Sequence, residues 1–224
     1  MPRSDQRRKF NYLNNYHVLC DFKFDPIKDY LDKSQDMIKV LQKELKDKYD
    51  AWESKNKSSL RGPDAFDVFE IEIMTIGEYD SILNNSTFLA IYSIFETEFL
   101  NICLYCQKTE GLKLGPKDLN GKSYIDQCRK FITKLLKVNL DRLNPEWELI
   151  QKYRKVRNLI AHGNGKIQES TQNLIDFIDR TNGIEYDRDE KIVRIISIDF
   201  LKNFIDLLSN YLVGICNKIF DQKN

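Results

Sequence analysis

The chain has 224 residues, of which 42% are hydrophobic and 31% are charged, so it is long enough to bury a sizeable core beneath long solvated helix faces. Its formal net charge of +1 excludes a strong general attraction to polyanions. No apolar segment follows the basic N-terminus, MPRSDQRRKFNY, and the longest apolar runs are shorter than a membrane span, so we expect a cytoplasmic protein with no membrane contact.

The first half of the chain has the periodicity of amphipathic helices. Asp25-Pro26 is typical of a helix start, because a capping residue precedes proline at the first helical position, and this helix is predicted to reach residue 52. Residues 54–64 interrupt the pattern. Residues 65–83 favour another helix. Asn84-Asn85-Ser86 then predicts the N-cap of a separate helix, FLAIYSIFETEFLNIC, which is the most apolar segment of the chain.

The second half predicts shorter elements. A helix is expected over residues 123–138, and Asn144-Pro145 opens another helix that ends at His162-Gly163, where glycine is the expected stop. A short helix over residues 170–180 follows. Asp199 predicts the N-cap of the final helix.

These elements define the fold class. We predict an all-α bundle with a small β-hairpin insertion near residues 184–197, whose tip has four polar residues. Residues 1–60 are expected to form an N-terminal extension whose long helix packs on a helical domain over residues 61–224. The charged outer surface of that long helix also leaves open a role in binding another chain.

The five cysteines are scattered along the chain, which indicates reduced thiols in a protein without a signal peptide. Cys103 and Cys106 form a CxxC, but a zinc site needs a second pair of ligands, and none occurs at suitable spacing. We therefore interpret both as thiols on a buried helix face. No metal and no cofactor is expected.

Charge is distributed unevenly. Residues 64–107 contain eight acidic residues and no lysine or arginine, whereas residues 122–166 contain eleven basic and four acidic residues. Two interpretations stay open: the segments pack together through complementary surfaces, or a basic face remains free for a polyanion.

The stretch YRKVRNLIAHGNG, residues 153–165, carries an unusual set of polar residues. Its helix has one apolar stripe for the core, formed by Leu149, Tyr153, Val156 and Ile160. Arg157 lies at the edge of that stripe. Asn158 and His162 are four residues apart and share a face that points nearly opposite to the core. That face can meet a ligand or a partner chain.

These residue types suit phosphodiester chemistry. His162 lies at the end of this helix, and an imidazole can move a proton to or from an oxygen. The guanidinium of Arg157 can hold a phosphate and offset the charge that builds in the transition state, while Asn158 can orient either group. The alternative is that His162 only caps the last carbonyl groups of its helix.

Arg157-Asn158 followed by His162 is similar to the R-x4–6-H motif of the HEPN superfamily, in the form with a polar residue after the arginine. In that family the motif lies toward the end of a helix in an all-α bundle, and an earlier core helix often carries an acidic residue near the active site. FLAIYSIFETEFLNIC resembles that core helix. Glu96 is expected to lie nearer to its core stripe than Glu98, and matches the acidic position. The stripe consists of Phe88, Tyr92, Phe95, Phe99 and Ile102.

The resemblance implies a metal-independent endoribonuclease in which two protomers bring both motifs into one cleft. Arg157 and His162 would promote attack of a ribose 2′-hydroxyl on the adjacent phosphate, with Asn158 and Glu96 beside them, leaving a 2′,3′-cyclic phosphate. The substrate-binding residues would be Arg154, Lys155 and Asn164. The implied partners are RNA, a second copy of the chain, and a cognate antitoxin or another protein of an anti-phage or toxin–antitoxin system.

Two alternatives to a nuclease remain open. A non-catalytic HEPN-like module would bind a nucleotide or a protein and use Arg157 and His162 only structurally. A plain helical scaffold or immunity partner would use its long first helix as the binding surface.

Overall fold

A computed structural model describes residues 11–56, 62–163, 165–167 and 172–223. Within these ranges the chain forms helices and one two-stranded antiparallel sheet, which confirms the all-α fold with a small β-hairpin. The helices are α1 Asn11–Asn14, α2 Tyr16–Asn56, α3 Ala65–Glu110, α4 Tyr124–Lys130, α5 Asn144–Gly163, α6 Gln172–Asp179 and α7 Ile198–Lys223. The strands are β1 Ile184–Asp187 and β2 Ile192–Ile195.

The predicted start of the first long helix is wrong. Helix α2 begins at Tyr16 and runs through Pro26, which lies inside it. Tyr16, Cys20 and Phe24 are buried at intervals of four residues, so the apolar face of α2 extends well upstream of the proline. Proline removes one backbone hydrogen bond from a helix interior. Packing of this upstream face offsets that loss, because tertiary contacts supply most of a helix's stability.

The predicted boundary at Asn84-Asn85-Ser86 is also wrong, because α3 is one continuous helix of 46 residues. The three polar residues lie inside a helix rather than at its start. Asn84 is buried, the side-chain oxygen of Asn85 accepts the backbone N–H of Ile195 at 3.2 Å, and the Ser86 hydroxyl donates to the carbonyl of Ile82 at 2.7 Å. The helix ends at Glu110 and is capped by Gly111, which has a left-handed backbone with φ of 66°.

The second half largely confirms the predicted elements. Helix α5 has the predicted start and end, α6 lies within the predicted range, and the hairpin leaves four residues at its tip. The helix expected over residues 123–138 consists of α4 and a π-helical segment, Phe131–Leu135. Asp199 is not the N-cap of the last helix. It lies in the first turn of α7, and Ser197 accepts the backbone N–H of Phe200 at 3.4 Å.

The core is built around the predicted stripe of α3, whose five residues are all fully buried. They face α7, where the rings of Phe88 and Phe204 are 4.9 Å apart and those of Phe99 and Tyr211 meet edge to face at 5.9 Å. Buried residues of α2 belong to the same cluster. The division of the chain at residue 60 stays a prediction. All five cysteines are buried free thiols, which confirms their interpretation.

One buried carboxylate ties α2 to α3. Glu98 is only 6% exposed, and it accepts hydrogen bonds from the Tyr16 hydroxyl at 3.1 Å and the Asn101 amide at 3.3 Å. Lys23 lies 3.5 Å from it. Glu98 is therefore deeper in the core than Glu96, contrary to the expectation from helix geometry. The hydrogen bond from Tyr16 and the charge of Lys23, both on α2, offset the energetic cost of burying this carboxylate.

Helix α3 is long and apolar enough, by length and composition alone, to cross a membrane. The sequence had led us to expect apolar runs shorter than a membrane span. Half of the qualifying window is buried inside the fold.

Continuity of α3 can be tested at Ser86. Proline inside a helix costs about 3 kcal/mol or more, so Ser86→Pro is expected to lower the free energy of unfolding by at least that amount. Ser86→Ala, the matched control, should leave it nearly unchanged, because residue 86 is exposed and alanine favours helix. Urea unfolding followed by circular dichroism measures both. Tolerance of the proline would instead indicate a break between two helices.

Candidate functional site

Helix α5 presents its core face and its polar face as predicted. Tyr153, Val156 and Ile160 are buried, and Ile150 rather than Leu149 completes the stripe, since Leu149 is only partly buried. On the opposite side Asn158 and His162 are exposed. The last turn of α5 therefore offers an amide and an imidazole to solvent.

Arg157 connects this exposed face to the core. Its guanidinium carbon lies 5.7 Å from the ring centroid of Tyr92, at a distance typical of a cation–π contact. Its Nη2 atom is 3.8 Å from the Glu96 carboxylate, and Nη1 donates to the Asn158 side-chain oxygen at 3.2 Å. The structure thus brings together three of the four predicted catalytic residues, Arg157, Asn158 and Glu96, with His162 one turn beyond Asn158.

The inner side of this cluster is partly buried. Burial raises the pKa of Glu96, while the nearby positive charges of Arg157 and Arg154 partly oppose that rise. Burial also raises the pKa of Tyr92 well above its usual range. The Nε atom of Arg157 is buried and has no hydrogen-bond partner among the described residues. Electrostatic contacts at Arg157 are strengthened by such an environment.

Arg154 is fixed in place by α4. Its Nη1 atom contacts the Ser123 hydroxyl and lies 3.0 Å from the Asp126 carboxylate, which also accepts a hydrogen bond from Gln151 at 3.2 Å. Ser123 in addition caps α4. Lys155 is exposed. The assignment of Arg154 and Lys155 to substrate binding stays a prediction, and Asn164 lies outside the described residues.

The turn after α5 is fixed against the hairpin. Gly165 donates its N–H to the Leu159 carbonyl at 3.0 Å, and its own carbonyl accepts the N–H of Val193 at 3.0 Å. Its φ of 82° lies in the left-handed region, and an added Cβ would collide with the Val193 carbonyl. Glycine is required at residue 165 for this close approach, which sets the position of the end of α5 and of His162.

Two residues of the site were not predicted as such. Tyr92 was assigned to the core, yet its ring also supports Arg157; its position one turn before Glu96 on the same helix was the available signal. Asp126, the partner of Arg154, comes from another helix, and nothing in the sequence links the two. Among the described residues no group of three or more histidine, cysteine, aspartate or glutamate side chains is placed to share a metal ion.

No protein-family model, curated protein or solved structure matches this chain. The resemblance to the HEPN superfamily therefore depends on the residues of the chain itself.

The two glycines at the end of α5 provide a matched test of the fixed turn. Gly165→Ala is expected to lower the free energy of unfolding by about 1–2 kcal/mol from its left-handed backbone alone, and further through the collision with β2. Gly163→Ala should be neutral or slightly stabilising, since nothing lies within 4 Å of an added Cβ there. Thermal or urea unfolding compares them. Equal effects at both positions would contradict the close approach of residue 165 to β2.

Proposed function

We propose that the chain is a metal-independent endoribonuclease of HEPN type that acts as a homodimer. The observation that carries the proposal is the arrangement at the end of α5, where a guanidinium held over Tyr92 and facing Glu96 donates to Asn158, and His162 is exposed one turn beyond Asn158. A fixed positive charge and a solvent-facing imidazole on the last two turns of one helix are suited to a reaction at a phosphate.

In the proposed reaction the 2′-hydroxyl of a ribose attacks the adjacent phosphorus. An imidazole accepts the hydroxyl proton as the new O–P bond forms, and Arg157 offsets charge on the non-bridging oxygens. The bond from phosphorus to the 5′ oxygen breaks, and that oxygen takes a proton from a second imidazole. The products are a 2′,3′-cyclic phosphate and a 5′-hydroxyl, and no other reactant is consumed.

The need for an acid and a base explains the proposed dimer. The chain has two histidines: His162 lies on α5 and His17 lies on a different helix, α2. A second copy of α5 would supply the other imidazole. Since His162 faces solvent, two copies can approach without unfolding either end. The proposal extends to a cytoplasmic setting and to a cognate antitoxin or defence-system protein that controls cleavage.

A specific observation favours the non-catalytic module as second candidate. Glu96 is the acidic neighbour of Arg157, and the two side chains are about equally half-buried, at 29% and 26% exposure. Such an ion pair offsets the positive charge that a phosphate would otherwise meet. In a purely structural site, Arg157 would serve to join α5 to α3.

Cleavage assays separate the two candidates. Purified protein is incubated with total RNA and with synthetic single strands in EDTA, and the product ends are analysed for cyclic phosphate. His162→Ala is expected to reduce the rate by about 10²–10⁴-fold. Arg157→Lys keeps the charge but removes the planar fork, and should reduce the rate by at least about 10²-fold.

The matched controls are His17→Ala and Arg188→Ala, which alter an exposed histidine on α2 and an exposed arginine at the tip of the hairpin. Both should cleave at the parent rate. The nuclease proposal fails if the parent produces no cyclic phosphate ends, or if His162→Ala and His17→Ala cleave equally. A large loss of stability in Arg157→Ala, together with an inactive parent, would favour the non-catalytic module.

A further inference from the structure

A basic cleft lies between α4 and α5, beside the candidate active site. It has a volume of about 540 Å³, and its lining includes Thr133, Trp147 and Gln151. Five cationic side chains and, among the described residues, a single carboxylate also line it: Lys122, Arg129, Lys130, Arg154 and Lys155, with Asp126. One carboxylate against five cations leaves an excess of four positive charges in a concave surface, which concentrates the field.

The contacts within the cleft leave most of this charge uncompensated. Asp126 is already paired with Arg154. Arg129 is held by neutral groups: its guanidinium lies 4.7 Å from the Trp147 ring centroid and donates to the Tyr211 hydroxyl at 2.7 Å and to the Asn144 side-chain oxygen. Holding an arginine between neutral partners orients its charge without neutralising it. An anion is the ligand that this arrangement favours.

The three lysines of the cleft reach solvent or a neutral group. Lys122 and Lys155 are exposed. Lys130 donates to the backbone carbonyl of Asn120 at 2.6 Å, which carries no formal charge. The ring of Trp147 contacts both Arg129 and Tyr211, so we assign it to supporting Arg129 rather than to stacking a base. Recognition in this cleft is therefore directed at phosphate groups and not at base identity.

The cleft and the residues Asn158 and His162 lie on the same face of α5. Gln151 and Lys155 line the cleft, and Asn158 and His162 follow them at helical spacing on the same face of α5. Eight residues separate Arg154 from His162, which is about 12 Å along the helix axis. Successive phosphates of a stacked strand are about 3.4 Å apart along its axis, so that distance is equivalent to three or four nucleotides.

We propose that this cleft binds the phosphate backbone of single-stranded RNA three to four nucleotides away from the cleaved bond. The position relative to the cut rests on the proposed nuclease function, whereas binding of the RNA backbone in the cleft does not. Bound in this way, the strand is held along α5 with its reacting phosphate at His162. Sequence preference then arises elsewhere, because backbone contacts carry no base information.

The test measures salt dependence of RNA binding. All proteins carry His162→Ala so that the RNA stays intact. Fluorescence anisotropy measures the affinity for a labelled single-stranded RNA of about 12 nucleotides. The affinity is measured at salt concentrations between about 50 and 200 mM. The variant is Lys122→Ala with Lys155→Ala. The control is Lys43→Ala with Lys46→Ala, which removes the same charge from exposed positions on α2.

Each lost phosphate contact reduces the slope of log affinity against log salt by about 0.7 for a single strand, so the cleft variant should show a slope shallower by about 1.4. The control should keep the parent slope. Circular dichroism verifies that both double variants remain folded, as expected for exposed lysines.

The outcomes separate the two proposals. A slope reduced in the cleft variant alone supports the cleft, even if the parent cuts no RNA, in which case only the nuclease proposal and the position relative to the cut are lost. Equal slopes in variant and control overturn the cleft while leaving cleavage by the parent intact. Absence of measurable RNA binding at every salt concentration also overturns it.

Discussion

The packing of Tyr153 against α7 and α6 determines where the polar end of α5 lies. Its ring is 5.0 Å from that of Phe204 and 5.3 Å from that of Phe177, in edge-to-face geometry. Phe204 in turn stacks on Tyr92 of α3. Arg157, one turn after Tyr153, consequently lies over Tyr92 and within reach of Glu96. The candidate site is an outward extension of the aromatic core.

Electrostatics divides α5 into a compensated side and a free side. Arg157 meets Glu96, and Arg154 meets Asp126. Lys155 and His162 face solvent instead. Of the ion pairs in the described part of the chain, that between Arg157 and Glu96 joins the acidic segment 64–107 to the basic segment 122–166. The cationic lining of the cleft comes wholly from the basic segment, which favours the interpretation that a basic face remains free.

The features that depend on short stretches of sequence were predicted correctly. The start and end of α5, its two faces, the hairpin and the aromatic stripe of α3 all follow from periodicity, capping residues and glycine or proline positions. The pairing of Glu96 with Arg157 was also within reach, because the family resemblance matched an acidic residue of the core helix to the site.

Long-range contacts account for the errors. Asn85 bonds to Ile195, 110 residues away, and this contact makes a polar triplet compatible with a continuous helix. Glu98 is buried because Tyr16, 82 residues earlier, donates to it, and the same buried tyrosine extends α2 upstream of its proline. The periodicity of a single helical segment cannot reveal partners that lie so far away in the sequence. The Arg154–Asp126 pair was missed for the same reason.

The central claim is that two copies of α5 meet end to end around one phosphate. Because the five native cysteines are buried, Ala161→Cys introduces an exposed thiol beside His162 that can be spin-labelled selectively. Lys43→Cys, on the exposed surface of α2, is the matched control. Pulsed dipolar spectroscopy should give a short, narrow distance between labels at residue 161 of two copies, and a longer one from residue 43. A monomer, or a distance at residue 161 no shorter than that at residue 43, would contradict the shared site.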